Sequence, residues 1–476
     1  MSKFKPSSWS PAQAKSAPVQ AVSAEEQSGS AVAGEKKEPE TTEPQLPASS
    51  FDRVSLYLAL AFLFLRISFL HEFVTTKIHV DLHPLMVLGG LSCLSIFLTG
   101  KWVNGMRDRN ALIWFGFAAC LCLATLMSSW RGGSLPIFLT YIRTTLPLLL
   151  LLPAVIGSRE DLLKVIGTMG WAGIGMVALG FTAKEYKSGR MIIVGASSIG
   201  DSNDYAAQIM FILPVIAYVL FVAKKSMVRR LLGLVAIPAG FYQLLSTGSR
   251  GALVSACLTM LLILFISRPK MKIALLLGIP AVALLAIPFV PSQAADRLAS
   301  LFQSSDDKTG EAAESAEARR RLLSQSIKLS LSNPLFGVGP GQFMDSEGAI
   351  AKEAGQRGMW HETHNTYTQV SSECGIPALL CFVSALGFTL RRLWKARKSD
   401  DRMLAGVAQV IFVSTFGFCI CVFFLSHAYG FAFLISTALA ISIDRLLAER
   451  AATTSEETAD SGLAPASPSR PVPLHA

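Results

Sequence analysis

Two histidines, a glutamate and an Asn-Thr pair crowd into WHETHNTYTQVSSECGIPALL, residues 360–380, directly ahead of an apolar run that reads as a membrane helix. A neutral imidazole is suited to take a proton from a hydroxyl near neutral pH. His361, Glu362 and His364 therefore form a candidate acid-base cluster. The helix expected from Thr366 presents unpaired N–H groups and a partial positive charge at its start. That end depresses a nearby histidine's pKa, keeps the ring neutral and favours an anion such as phosphate. Asn365 and Thr366 are of the types that cap it. Histidines at a membrane edge are also ordinary amphipathic side chains, so their neighbours must separate the two readings.

The candidate neighbours are arginines. In LLSTGSRGALVS, Gly248, Ser249 and Gly251 interrupt the apolar pattern for one turn that carries Arg250; a tight hairpin whose arginine snorkels to headgroups has the same pattern. Arg143, in LTYIRTTLPLLL, lies about 10 Å inside a candidate span at 1.5 Å per residue. A charge at that depth costs about 2.5–3.5 kcal/mol on insertion scales and marks a cavity or a partner. The carboxylates Glu160 and Asp161 fall at the opposite face. Arg66 sits near the outer end of the first span, where snorkelling is an equal alternative, and ARRRLLSQSIKLSLSNP adds Arg319, Arg320 and Arg321. Arginine forks onto phosphate oxygens. The set fits displacement of a diphosphate from a lipid carrier, with arginines on the leaving group and a histidine removing the acceptor hydroxyl's proton. That scheme calls for no metal and no cofactor.

The elements that must position these residues are membrane helices. At 476 residues, 51% hydrophobic and 16% charged, with mean hydropathy +0.45, the chain reads as an all-α polytopic membrane protein. About twelve candidate spans fall near 54–70, 81–99, 110–128, 136–156, 161–183, 205–223, 229–247, 250–267, 271–290, 366–390, 403–424 and 427–447. Lys and Arg concentrate in alternate short loops, as at 101–109, 224–230, 268–272 and 391–402, which puts both termini in the cytoplasm. Topology and attraction to anionic membrane lipids account for the net charge of +10 without a nucleic-acid partner. Residues 1–50 and 448–476 read as disordered cytoplasmic tails; 51–290 hold nine spans, 291–365 one long external loop, and 366–447 three more spans. Most of the eight cysteines fall inside spans and suggest neither a metal site nor disulfides.

The loop begins with polar FQSSDDKTGEAAESAEA, which includes the acidic pair Asp306-Asp307. A helix follows, with Leu322, Leu323, Ile327 and Leu331 expected on one side against the membrane surface. Next comes NPLFGVGPGQF, whose Gly337, Gly339 and Gly341 lack the preceding strand that a dinucleotide loop needs. A plain surface turn and a functional turn both fit it.

STGSRGALVS, NPLFGVGPGQF and HETHNTYTQVSSECGIPALL, in that order before the last three spans, resemble the O-antigen ligase and polymerase superfamily of bacterial inner-membrane glycosyltransferases. GDSNDYAAQ, residues 200–208, resembles that family's Asn-rich entry to a membrane helix. The resemblance covers 51–447 in architecture and implies a GT-C-like fold in the inner membrane with a periplasmic loop containing short helices. It further implies transfer of a glycan from an undecaprenyl diphosphate donor to a lipid A core or other glycan acceptor. The family's His-Asn pair corresponds to His364 and Asn365, its Ser-Arg-Gly turn to Ser249, Arg250 and Gly251, and its loop arginine to Arg319 through Arg321, with Arg319 best by spacing. Asn333-Pro334 departs from the relatives' pattern. Polymerase activity is the alternative within the same chemistry, and a polysaccharide flippase or exporter is the alternative of another class.

Overall fold

Every helix that starts at a bilayer leaves backbone N–H groups without intrahelical partners, and this chain supplies side-chain caps for them. Asp108, Ser158, Asp201, Ser249, Asn365 and Asp401 each accept from backbone N–H groups of the helix that follows. The structure, a computed structural model, describes residues 50–460 except 81, 200, 224, 225, 268, 300–309, 354 and 356. The expected tail at 1–50, but for its last residue, the end of the other tail from 461, and the acidic pair at 306–307 lie outside the described residues.

The chain opens with α1 (Ser50–Ser68), α2 (Leu70–Ile78), α3 (Pro84–Leu98), the short α4 (Val103–Met106) and α5 (Arg109–Leu126). Helix α6 (Arg131–Thr140) passes through a π-helical turn (Tyr141–Thr145) into α7 (Pro147–Val155), and α8 (Arg159–Thr182) follows. An antiparallel hairpin, β1 (Lys184–Lys187) with β2 (Arg190–Ile193), then leads to α9 (Ser202–Phe221), α10 (Met227–Ser246), α11 (Arg250–Ile266) and α12 (Pro269–Ala286). The long connection carries α13 (Ser292–Ala299), α14 (Gly310–Ser332) and α15 (Phe343–Glu353). Three helices complete the chain: α16 (Thr366–Ala396), α17 (Arg402–Cys421) and α18 (Ala432–Asp460).

Helices occupy all twelve expected span positions. Among the described residues seven are long and apolar enough to cross a membrane, or eight if α1 and α2, bent by 73°, count as one span; α3 and α11 are shorter apolar helices. The protein is a multi-pass helical membrane protein. Two features depart from the sequence reading: the β hairpin was not expected, and α18 runs to Asp460, past the boundary placed at 448.

Because lipid is as apolar as leucine, helices in a bilayer are held by close packing and interhelical hydrogen bonds. Trp114, Phe117, Phe382 and Phe433 meet edge to face or tilted where α5, α16 and α18 converge. Beside them Trp114 Nε1 donates to Thr437 Oγ1 at 3.0 Å, and Asn110 Nδ2 donates to Thr389 Oγ1 at 2.8 Å. Between α8 and α9, a Cβ on Gly170 or Gly173 would lie 2.7 Å from Val219 or 2.5 Å from Ile212. At the end of the bundle away from the start of α16, Arg392 pairs with Asp108 and Asp444, and Asp401 takes Arg159 and Arg450.

Helix α16 is interrupted at Gly375, whose φ is 88°. The break exposes backbone groups that the glycine-rich segment satisfies: Val338 N donates to Ser372 O, Gly339 N to Glu373 O, and Ile376 N to Pro334 O. On its other side Ser129 N and Oγ donate to Val338 O, and Ser134 Oγ donates to Pro340 O. NPLFGVGPGQF is thus a clasp between α16 and the α5–α6 turn, exposed at Pro334, Leu335 and Phe336 and buried from Val338 to Pro340. Its glycines are required by contact, since a Cβ on Gly337 would lie 2.3 Å from Glu373 C and one on Gly339 2.0 Å from Ser128 Oγ.

The clasp lays α14 along α16, with Ser330 Oγ 2.7 Å from Ser371 Oγ. The buried stripe of α14 is Leu322, Ser326, Leu329 and Ser330, while Leu323, Ile327 and Leu331 are exposed. The expected apolar side is therefore split, because the buried face is turned by about one residue, roughly 100°. Leu322 and Leu329 join Val338 and Phe343 in a small core between α14 and α15, separate from that of the bundle.

Gly375→Ala is expected to destabilise the protein by more than the roughly 1–3 kcal/mol of a left-handed non-glycine residue, because its Cβ would also lie 2.3 Å from Leu335 O. Gly387→Ala, in the same helix with nothing within 4 Å, is expected to change stability by at most about 1 kcal/mol. Thermal unfolding of the detergent-solubilised variants measures the difference; equal melting of the two would refute the role given to the break.

Candidate functional site

The start of α16 is stitched to the connection between α17 and α18. Asn365 Oδ1 accepts from Tyr367 N and Thr368 N, capping the helix as its type and place suggested. Ser426 Oγ accepts from His364 N at 3.1 Å and lies 3.0 Å from Thr363 Oγ1. Thr366 Oγ1 donates to Leu425 O and accepts from His427 N, while Gln369 Oε1 accepts from Ala428 N. These bonds hold His364 at φ 49°, a left-handed conformation unusual for a residue with a side chain.

His364 is half-buried, and its ring centroid lies 6.2 Å from that of the exposed His361. Burial pushes its imidazole below the ordinary histidine range, with Arg319 and His361 adding to the effect and Asp201 and Asp204 opposing it. The direction is the one expected from sequence, but the leading cause differs: the expectation invoked the helix end, whereas desolvation first and a guanidinium second depress the pKa here.

Of the three successive arginines, each about 100° apart on the helix, only Arg319 turns to His364. The guanidinium of Arg321 lies 3.6 Å from Glu347, and Arg320 is exposed. Burial lowers the Arg319 pKa, Arg250 and Arg297 lower it further, and Asp201 opposes. Arg190, on β2, donates through Nε to Thr247 O at 3.0 Å and through Nη2 to Asn203 Oδ1 at 2.8 Å. Its pKa is pushed down to about 10 by burial first; Asp201 resists, and Arg297, Arg319 and Arg250 add repulsion. Arg250 reaches this group from the start of α11, just after the left-handed Gly248, which packs on Ala294 of α13.

The acidic side of the site comes from the start of α9 and from Glu362 just ahead of α16, facing Ser426 and His427 of the α17–α18 connection. Asp201 caps α9, and Asp204 Oδ1 lies 3.1 Å from His427 Nε2. Glu362 bonds to Ser426; the surrounding protein and then Asp204 push its carboxyl up, although the residue keeps solvent contact. Arg66 stands apart, stacked 4.7 Å above the Phe431 ring. Arg143 is exposed on the π-helical turn, and no contact among the described residues joins it to the arginine group. No set of three His, Cys, Asp or Glu side chains among the described residues is placed to hold a metal ion.

Arg190, Arg297, Asp201, Asp204, Ser426 and His427 did not stand out as chemistry in the sequence. The acidic helix entry DSND was the one visible signal; Arg190 and Arg297 lie singly in separate connections, Ser426 and His427 side by side in a third, and these become neighbours only in the fold.

Taken together, a helical membrane bundle with a half-buried arginine-histidine centre at the end where α16 begins defines the class. Residues 239–383 match the family model described as O-antigen ligase, in keeping with the resemblance carried by the three motifs. That segment contains Arg250, Arg319, the clasp and His364; Arg190, Asp204 and His427 lie outside it. No curated protein matches the chain.

Replacing Arg319 by Gln removes a cation that depresses the His364 pKa. The histidine should then titrate at higher pH, and any activity that needs it neutral should lose its acid limb earlier as pH falls. Histidine NMR of selectively labelled protein checks this; an unmoved or lowered pKa would contradict the coupling.

Proposed function

We propose that this protein is a glycosyltransferase of O-antigen ligase type, working on the periplasmic face of the bacterial inner membrane. The observation that carries the proposal is the convergence of Arg190, Arg250, Arg297 and Arg319 beside a histidine whose pKa lies below its ordinary value. Guanidiniums that repel one another are relieved by an anion of more than one charge. A neutral imidazole next to them suits a hydroxyl acceptor.

The donor in this reading is a glycan on undecaprenyl diphosphate, and the acceptor is a lipid A core or related envelope glycan. The acceptor oxygen attacks the anomeric carbon, its proton passes to His364, and the bond from that carbon to the diphosphate oxygen breaks. The electron pair leaves with the diphosphate, whose added charge the four arginines stabilise. A single displacement of this kind inverts the anomeric centre. Arg143 and Arg66 are proposed to meet the donor along its approach, the former from a π-helical turn, an irregularity frequent at functional sites. His361 and Glu362 are proposed to orient the acceptor, and Asn365 to support the site by holding the start of α16.

Polymerisation uses the same steps with a second lipid-linked glycan as acceptor, and export of the lipid-linked glycan would use the arginines alone. Purified protein in lipid, given the donor with and without lipid A core, separates these. His364→Ala is expected to lower acceptor-dependent transfer by about 10²–10⁴-fold. Chain growth without lipid A core would replace the ligase reading by polymerisation. Absence of any product from the wild type, together with donor movement across the bilayer, would replace it by transport.

A further inference from the structure

Glu347 is a fully buried carboxylate in the long connection, outside the arginine-histidine centre. Removing a carboxylate from water is costly unless its oxygens are bonded. Its Oε2 accepts from Met359 N at 2.8 Å and Trp360 N at 3.3 Å, and its Oε1 lies 3.6 Å from the Arg321 guanidinium. Arg321 also donates to Arg357 O at 3.5 Å. A pair of buried or half-buried charges on α14 and α15 is therefore committed to fixing the backbone of residues 357–360.

What that backbone presents is the side chain of Trp360, which is 57% exposed although its φ is 54°. A left-handed conformation at a bulky residue costs on the order of 1–3 kcal/mol, and the surroundings hold it there. The indole lies against two glycines. A Cβ on Gly348 would stand 2.7, 2.8 and 2.9 Å from Cζ2, Cη2 and Cε2 of the ring, and one on Gly358 would stand 3.0 Å from its Nε1. Three adjoining ring atoms at nearly one distance put Gly348 over a face of the indole, not at its edge. One face is thus backed by glycine while more than half of the side chain stays exposed, one residue before His361.

We infer that Trp360 is a stacking platform for a pyranose ring of the acceptor glycan. The electron-rich face of an indole takes the polarised C–H groups of a sugar ring. The acceptor is the substrate whose hydroxyl must meet His364, so its adjoining sugars fall beside His361 and Trp360. Arg321 and Glu347 are positioning residues that hold the platform. Trp130 is the comparison: it is 61% exposed and its indole also lies against glycines, Gly132 and Gly133, but it sits at the junction of α5 and α6 with an extended φ of −139°, a place that suits an interfacial anchor. The inference rests on the transferase reading only for the identity of the acceptor.

The test uses the full chain in nanodiscs and, as probe, core oligosaccharide freed of lipid A. Binding is followed by saturation-transfer NMR for wild type, Trp360→Ala, Trp360→Phe, Glu347→Gln and Trp130→Ala. Trp360→Ala should weaken binding by roughly 3- to 10-fold and raise the acceptor KM by a similar factor, with kcat and the donor KM unchanged. Trp360→Phe should recover part of the loss, Glu347→Gln should fall between, and Trp130→Ala should match wild type. Unchanged binding in Trp360→Ala overturns the inference. So does quenching by brominated lipid that disappears in Trp360→Phe, which would put the indole in the bilayer. Trp360-dependent binding by a wild type that transfers nothing would sink the transferase reading and leave the platform standing.

Discussion

The pairing of Pro334–Gly339 with the interrupted backbone of α16 is the constraint on which the site depends. A helix broken inside a membrane protein leaves carbonyl and N–H groups that must find partners, and here the partners come from the segment that follows α14. Once Val338 and Gly339 are bonded to Ser372 and Glu373, α14 has little choice but to run back along the first half of α16. From Ser330, which meets Ser371, α14 rises about 16 Å to Arg319, whereas α16 rises about 7.5 Å from Ser371 to its start at Thr366. Arg319 therefore stands beyond the helix end, on the side of His364. The glycines of the clasp, the break at Gly375 and the coupling of Arg319 to His364 are consequences of one packing decision.

The electrostatics of the centre follow from where its charges originate. Arginines arrive from β2, α11, α13 and α14, while the carboxylates arrive from the start of α9. The arginines and Asp204 are half-buried, although Asp201 is exposed, so most of these charges act on one another through less water than surface charges do. The guanidiniums repel one another, and Arg319 adds to the burial that lowers the His364 pKa. One arrangement thus combines two features that oppose each other in free solution, clustered positive charge and a histidine whose pKa is lowered.

Much of this was legible in the sequence where a residue's role is local. Asn365 caps α16 because an Asn before a helix-forming run does so in any context, and Arg250 sits after the Gly248-Ser249 turn as the interrupted apolar pattern required. Spacing favoured Arg319 among three arginines, but only the face of α14 that packs on α16 sends Arg321 to Glu347 instead. Arg190, Arg297 and His427 were not legible, because each is an ordinary residue on a hairpin, a loop helix or a connection and acquires meaning only through neighbours far away in the chain, and Asp204 showed only as part of the DSND helix entry. The clasp was ambiguous for a related reason: glycines mark an unusual backbone without saying whether solvent or another helix lies against it. The split of the apolar side of α14 shows the same limit at the scale of one residue.

The central claim is a division of labour in which the arginines hold diphosphate and His364 moves the proton. The most direct measurement is the affinity of undecaprenyl diphosphate for the wild type, for Arg190→Ala and Arg319→Ala, and for His364→Ala in nanodiscs. The account predicts that each arginine variant binds about 10- to 100-fold more weakly, as expected for loss of hydrogen bonds to a charged group, while His364→Ala binds as the wild type does. Wild-type affinity in both arginine variants, or a loss confined to His364→Ala, would contradict it.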